Sequence, residues 1–190
     1  ESIEIPAGVE SIGKNAFRNC TSLASIEIPA GVTSIGAYAF QHCSSLKNIV
    51  IPEGIISISP DAFEGCDNLS SITLPTSMKN IGNGAFRYCR SLKNITIPNG
   101  VKELSSGMFN QCFSLSSICL PKSIETIGYD VFYKIHRENV SETEINPNSL
   151  PTAVATGTFS YNGSRNHKVE LGKSVKGRYV MLYTTGQSAN

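Results

Sequence analysis

The chain has 190 residues, a formal net charge of +1, and 40% hydrophobic against 16% charged residues. Its apolar content excludes extensive disorder, and the absence of any long block of one charge excludes an electrostatic surface for nucleic acid or for an anionic membrane. No apolar run reaches the roughly 18 residues needed to cross a bilayer, and the first residues lack the basic stretch and apolar core of a secretion signal. The composition predicts an ordinary folded domain, with no nucleic-acid partner and no membrane span.

Prolines recur every 23 residues, and each ends a short segment with apolar residues at alternate positions. Alternate apolar residues followed by proline, which cannot donate to a ladder, are typical of a short β-strand. One such strand in each repeat predicts a parallel sheet. A fixed period of this length indicates a solenoid. The repeating prolines are Pro6, Pro29, Pro52, Pro75, Pro98 and Pro121.

The apolar spacing changes from two to three in the second half of each repeat. In the second copy Ala39 and Phe40 are followed by Cys43 and Leu46, which predicts a helical or 3₁₀ turn on the side opposite the strand. Glycine precedes this turn in most copies, where we expect the backbone to need a conformation or a clearance that a Cβ would hinder. These glycines are Gly13, Gly36, Gly82 and Gly128, and Ser59 and Ser105 take the same place in other copies.

The repeat resembles the leucine-rich repeat of the BspA-like type over about residues 1–133. The matching pattern is Leu-x-x-Ile-x-Ile-Pro-x-x-Val-x-x-Ile-Gly-x-x-Ala-Phe-x-x-Cys, from Leu23 to Cys43. The resemblance implies a right-handed leucine-rich-repeat β/α superhelix, with a parallel sheet on its concave side and short helical or 3₁₀ turns on its convex side. It also implies an extracellular or cell-surface location and a role in adhesion and host interaction.

Five cysteines occupy one repeat position, so they are expected to form a single buried row. Side chains stacked about 4.8 Å apart are too far apart for the Cβ separation of about 3.8 Å in a disulfide. A row on one side also cannot surround a metal ion tetrahedrally. We therefore predict structural free thiols that act as small hydrophobic side chains: Cys20, Cys43, Cys66, Cys89 and Cys112.

The outward positions of the strands carry short, mostly uncharged side chains. Such a face can exchange hydrogen bonds with a peptide or a sugar, although serine and threonine are also tolerated on any solvent-facing strand. It lacks Tyr, Trp and Arg, which usually anchor tight interfaces, so modest affinity is expected. The candidate ligand-binding residues are Ser25, Glu27, Asn48, Val50, Ser71, Thr73, Asn94, Thr96, Ser117 and Cys119.

Nothing in the sequence predicts catalysis, a cofactor or a metal site. The histidines His42, His136 and His167 have no acidic or nucleophilic partner defined by the repeat, and neither a nucleophile elbow nor a phosphate-binding glycine loop occurs. The carboxylates Asp61, Glu64 and Asp67 vary between copies and are expected to be solvated. The chain is therefore predicted not to be an enzyme.

The repeat fails after Phe132, and the remaining residues divide into two parts. The sequence predicts a solenoid of about six copies over residues 1–138, a linker over 139–152 and a β-rich segment over 153–190. Within that segment residues 170–180, ELGKSVKGRYV, resemble a strand-turn-strand of discoidin-like, galactose-binding sandwiches. The segment is predicted to be either part of a following domain or a cap on the solenoid end.

These features together predict a non-catalytic cell-surface or secreted module that binds an extracellular or host protein through its concave face. A carbohydrate-binding accessory and a structural spacer with no ligand of its own are the alternatives.

Overall fold

The computed structural model describes residues 2–135 and Val169–Glu170. It contains five complete coils, 2–24, 25–47, 48–70, 71–93 and 94–116, and a sixth coil described as far as Ile135. Each coil has a three-residue strand followed by a two-residue strand. In chain order the strands are β1 Ser2–Glu4, β2 Ser11–Ile12, β3 Ser25–Glu27, β4 Ser34–Ile35, β5 Asn48–Val50, β6 Ser57–Ile58, β7 Ser71–Thr73, β8 Asn80–Ile81, β9 Asn94–Thr96, β10 Glu103–Leu104, β11 Ser117–Cys119, β12 Thr126–Ile127 and β13 Val169–Glu170.

Strands of neighbouring coils pair in parallel, one repeat apart, as the resemblance to leucine-rich repeats implies. The three-residue strands pair as β1 with β3, β5 with β7 and β9 with β11. The two-residue strands form a second ladder, with β2, β4, β6 and β8 in one sheet and β10 beside β12 in another. The prediction of a single strand in each repeat was therefore wrong, because each coil carries two.

A proline turn separates the two strands of a coil. In the second coil the Val32 N–H donates to the Pro29 carbonyl at 3.0 Å, and Ile35 then points into the core. Proline has no N–H to donate, but its carbonyl still accepts the bond that closes the turn. The second strand is too short to produce an alternating pattern, since only one of its two residues is inward.

The segment predicted as a helical or 3₁₀ turn is a series of β-turns, and the described residues contain no helix. In the second coil the N–H groups of Ala39, Gln41 and Cys43 close turns onto residues three positions earlier. The intervening N–H groups, such as that of Phe40, donate across to the next coil, where Ala62 O accepts at 2.8 Å. A helix would have used all of these donors internally, so the β-turns allow the coils to bond to each other along this side.

This turn series places two residues of every coil at positive φ. Tyr38 and His42, with φ near 59°, are the third residues of turns whose geometry requires a left-handed residue there. Glycine, asparagine and aspartate adopt it at the lowest cost. The positions are Asn15, Tyr38, Asp61, Gly84, Gly107 and Asp130, together with Asn19, His42, Gly65, Tyr88, Gln111 and Lys134.

The glycines predicted before the turn provide clearance rather than an unusual conformation. A Cβ on Gly36 would lie 2.6 Å from the backbone nitrogen of Lys14, and one on Gly82 would lie 2.5 Å from the backbone nitrogen of Pro60. Gly13, in the first coil, meets nothing within 4 Å. The glycine therefore allows one coil to approach the backbone of the coil before it.

Stacked aromatic rings form the centre of the core. Each ring of the phenylalanine row lies nearly parallel to the next, with centroids 5.1 to 6.0 Å apart. Phe40, Phe63, Phe86 and Phe109 are fully buried, whereas Phe17 and Phe132 at the two ends are partly buried. The isoleucines of both ladders pack around this row, and the core is continuous from coil to coil.

One strand of the predicted β-rich segment lies within the described residues. β13 pairs antiparallel with β12, joining Glu170 to Thr126 and Val169 to Ile127. The predicted linker over 139–152 and the rest of the segment over 153–190 lie outside the described residues, as does the discoidin-like stretch apart from Glu170. The domain boundaries therefore stay predictions.

Candidate protein-binding face

We call the outward side chains of the three-residue strands the front face. In β3, β5, β7 and β9 the central isoleucine is buried and the residues on either side are exposed. In β11 the flanking residues Ser117 and Cys119 are half-buried. The structure brings all the predicted ligand-binding residues together on this face, eight exposed and these last two partly covered. The exposed eight are Ser25, Glu27, Asn48, Val50, Ser71, Thr73, Asn94 and Thr96.

The polar groups of the front face are largely available to a ligand. Asn48 Oδ1 accepts a hydrogen bond from the hydroxyl of Ser70 at 3.3 Å. Within residues 2–135 no other side-chain hydrogen bond engages the predicted binding residues. Their backbones are held by the ladder and by the buried isoleucines beneath. The face is therefore a firmly supported array of free hydroxyl and amide groups.

The front sheet is not continuous, which the sequence did not indicate. Strand pairing stops between β3 and β5 and again between β7 and β9, although these strands remain neighbours. A shallow open groove of about 400 Å³ lies at the first of these boundaries. Val50 stands beside it with 64% of its surface exposed. The groove is lined by Ile26, Glu27, Ile28, Asn48, Ile49, Val50 and Pro52.

The cysteine row contains four buried thiols, and these are hydrogen-bonded. Each donates to the carbonyl of the phenylalanine 26 residues earlier, as Cys66 does to Phe40 O at 3.2 Å. Cys43, Cys89 and Cys112 repeat the arrangement at 3.1 to 3.2 Å. Cys20, also predicted to be buried, is exposed, because no coil precedes it among the described residues. All six cysteines, including Cys119, are free.

Burial suppresses the chemistry of these thiols. It raises the pKa of Cys43 and of Cys112 from 9.0 to about 12. The pKa of Cys66 and that of Cys89 are also raised well above the ordinary value, with burial again the largest cause. A nucleophilic or metal-binding cysteine must be a thiolate, so these protonated side chains serve the core as packing groups and weak donors.

The opposite side of the second, third and fourth coils carries a polar cluster that sequence reasoning missed. Gln41 is buried and donates from Nε2 to Glu64 Oε2 at 2.5 Å. Arg87 Nη1 lies 3.9 Å from both Glu64 Oε1 and Asp61 Oδ1. Burial, with the nearby charge of Glu64, raises the pKa of the Asp61 carboxyl, and Arg87 partly offsets this.

The prediction that Asp61 and Glu64 are solvated was therefore wrong. Their side chains keep only 17% and 14% of their surface exposed, in contact with Arg87 of the next coil. Asp67 is more open, but it too pairs across coils, with Arg90 Nη1 at 2.7 Å. Aligning the repeats shows a charged or amide side chain at position 64 and at its equivalents in the first five coils, a signal that reading each copy separately does not reveal.

No metal site is found within residues 2–135, where no three His, Cys, Asp or Glu side chains are grouped as ligands. In the same residues no helix is long and apolar enough to span a membrane.

Parallel coils over a continuous core, with a regular face of free polar groups, define a repeat-based binding module. The comparisons with known proteins give the family. The model of the BspA type leucine rich repeat region matches in six copies, over residues 1–58 and 33–166. The chain belongs to this family, as its repeat pattern predicted. The comparison with curated proteins gives no match.

Solved bacterial structures share the architecture. A leucine rich cell surface protein from Faecalibacterium prausnitzii is 31% identical with a TM-score of 0.64, covering 70% of this chain and 45% of that protein. A leucine-rich repeat protein from Bacteroides ovatus is 37% identical with a TM-score of 0.63, covering 66% and 33%. The leucine rich repeat protein of T. pallidum is 26% identical with a TM-score of 0.57, covering 67% and 72%. The chain therefore spans less than half the length of the first two.

Proposed function

We propose that this chain is a non-catalytic adhesion module of an extracellular or cell-surface protein, and that it binds an extracellular or host protein through the front face. The observation that carries the proposal is the row of exposed hydroxyl and amide side chains whose hydrogen-bonding groups are almost all unengaged. The similarity to a protein described as a leucine rich cell surface protein supports the location.

The front face suits a protein partner of modest affinity. Its strands present exposed side chains at regular intervals of about 4.8 Å from coil to coil, so one partner can contact the side chains of several coils. The predicted residues include no Tyr, Trp or Arg, and those residues dominate the energy of tight interfaces. We therefore expect binding to depend on contacts spread over several coils.

The test uses the purified 190-residue chain and a panel of immobilised extracellular matrix proteins. Thr73→Arg combined with Asn94→Arg places two large cations on adjacent strands of the front face, where both native side chains are exposed. We expect this double variant to bind at least tenfold more weakly to every matrix protein that the native chain binds. The matched control, Ser34→Arg with Asn80→Arg, adds the same charge at exposed positions of the second ladder and should bind as the native chain does.

Competing sugars distinguish the alternatives. A carbohydrate-binding accessory would lose its binding when free monosaccharides or oligosaccharides are added, whereas a protein-binding module would not. If the chain is a structural spacer, it binds no member of the panel. If binding does not involve the front face, both double variants bind as well as the native chain. Inhibition by free sugar, no binding to any panel member, or equal binding by both double variants would each contradict the proposal.

A further inference from the structure

Two glutamates lie side by side on the first coils of the front face. Glu4 of β1 and Glu27 of β3 are direct partners in the parallel ladder, and both are exposed. Neither carboxylate has a lysine, arginine or histidine nitrogen within 4.0 Å among the described residues. Like charges directly opposite each other on a sheet are destabilising. This pair would therefore be relieved by a cation brought by another molecule.

The next residue in the same column is apolar. Val50 of β5 follows Glu4 and Glu27 at the equivalent position one coil further on, and its side chain is 64% exposed beside the open groove. Beyond it the column continues with the neutral residues Thr73, Thr96 and Cys119. The front face therefore changes along the stack from an acidic pair to an apolar contact and then to a neutral polar surface.

We propose that the first three coils dock an extended segment of the partner protein, in which a lysine or arginine is followed two residues later by an apolar residue. The proposal rests on the proposed function and specifies the chemistry of its partner. The cation lies between the two glutamates, and the apolar side chain covers Val50 and the groove.

The spacing of the two chains supports this pairing. Paired coils are about 4.8 Å apart, and β5 stays beside β3 without being hydrogen-bonded to it. The midpoint between Glu4 and Glu27 therefore lies at least about 7 Å from Val50 along the stack. In an extended segment, residues i and i+2 project to the same side and lie about 6.7 Å apart. A segment that runs along the stack, across the strands, therefore presents its cation and its apolar side chain at matching positions.

A protein segment fits this surface better than a free metal ion or a neutral sugar. A metal ion would neutralise the carboxylates but would leave Val50 and the groove uncovered. A neutral sugar would leave the repulsion between the glutamates in place. The combination of charge and apolar surface at fixed spacing is the feature that selects a peptide.

The experiment selects a randomised linear peptide library on the immobilised 190-residue chain. We expect enrichment of peptides in which Lys or Arg stands two residues before Val, Ile or Leu. Synthetic peptides from the selection should bind at least tenfold more weakly to the Glu4→Lys, Glu27→Lys double variant and about threefold more weakly to Val50→Ser. Their affinity for the native chain should fall as salt is raised.

The control is Glu10→Lys with Glu103→Lys, which makes the same change in net charge at exposed positions outside the front face and should leave peptide binding unchanged. Enriched peptides without the cation, equal losses with both charge reversals, or no enrichment would overturn this inference. If Thr73→Arg with Asn94→Arg still abolishes matrix-protein binding while Glu4→Lys with Glu27→Lys does not, the proposed function stands and only this inference fails.

Discussion

At the scale of single residues, the cysteine position shows what a sequence can and cannot disclose. Its recurrence every 23 residues predicted a row of five buried, unpaired thiols, and four of them are buried, whereas Cys20 is exposed. The hydrogen bond from Cys89 to the Phe63 carbonyl could not be predicted, because the acceptor lies 26 residues earlier, in a neighbouring coil whose offset only the folded backbone fixes. Cysteine at this place combines a small apolar volume with a donor that satisfies a buried carbonyl.

Because folding raises the pKa of the buried thiols, we expect the free energy of unfolding to fall at alkaline pH. A thiol whose pKa rises from 9.0 to about 12 on folding, as for Cys112, stabilises the fold fully below pH 9 and loses this contribution as the pH rises towards 12. We expect Cys112→Ala to be less stable than the native chain at pH 7, with a difference that shrinks by at most about 1.4 kcal/mol per pH unit above pH 9. Urea unfolding between pH 7 and 10.5 measures this.

Truncating a buried side chain that has no ionisable group provides the control for this prediction. Leu115→Ala removes a fully buried side chain from the same coil, and its difference from the native chain should stay constant over the same pH range. Every other ionisable group is present in all three proteins, so its contribution to the difference cancels. A Cys112→Ala difference that did not shrink above pH 9 would contradict the assigned role of burial.

At the scale of elements, the three-residue strands were predicted and the two-residue strands were not. Ile26 and Ile28 flank an outward residue and end at Pro29, so the alternation is visible. β4 offers only one inward residue, Ile35, and so leaves no period to detect. The β-turn series was interpreted as helical because consecutive turns also place apolar residues three apart. Five of the six residues in the first positive-φ column are of types that favour positive φ, and this signal distinguishes β-turns from a helix; Tyr38 is the exception.

The glycine before the turn series is crowded by a neighbouring backbone in the second coil but not in the first, so the same substitution can be compared at two equivalent positions. Gly36→Ala places a Cβ 2.6 Å from the backbone nitrogen of Lys14, and backbone cannot move aside without separating the coils. We expect a loss of about 1–3 kcal/mol of unfolding free energy, typical of overpacking. Gly13→Ala, at the same repeat position with nothing within 4 Å, should change it by less than about 0.5 kcal/mol.

Urea unfolding with both variants separates clearance from backbone conformation. If the glycine were needed for its φ, the two substitutions would be equally harmful, because the repeat position is the same. Equal losses would therefore contradict the clearance explanation, and so would a neutral Gly36→Ala.

At the scale of the whole molecule, each coil depends on its neighbours. Its phenylalanine ring stacks on the rings of other coils, and every second N–H group of its turn series donates to the next coil. Phe63 lies between two rings, with centroids 5.1 and 5.9 Å away, and its N–H donates to Ala85 of the next coil. In such an array stability is approximately the sum of coil and interface contributions. The period of 23 made the stacking predictable from sequence, whereas the repeat pattern does not mark where pairing in the front sheet is interrupted.

The position of a phenylalanine in the row should therefore decide the cost of its removal. We expect Phe63→Ala to lose about 3–5 kcal/mol, since the side chain is fully buried and stacked on both sides. Phe132→Ala should lose about half as much, because Phe132 is partly buried and stacks on one described ring, Phe109. Phe63→Ala should also divide the array, so that hydrogen exchange in the first two coils becomes faster than in the fifth. Similar losses for the two variants, or uniform exchange in Phe63→Ala, would show that the coils act as one indivisible unit rather than as a nearest-neighbour array.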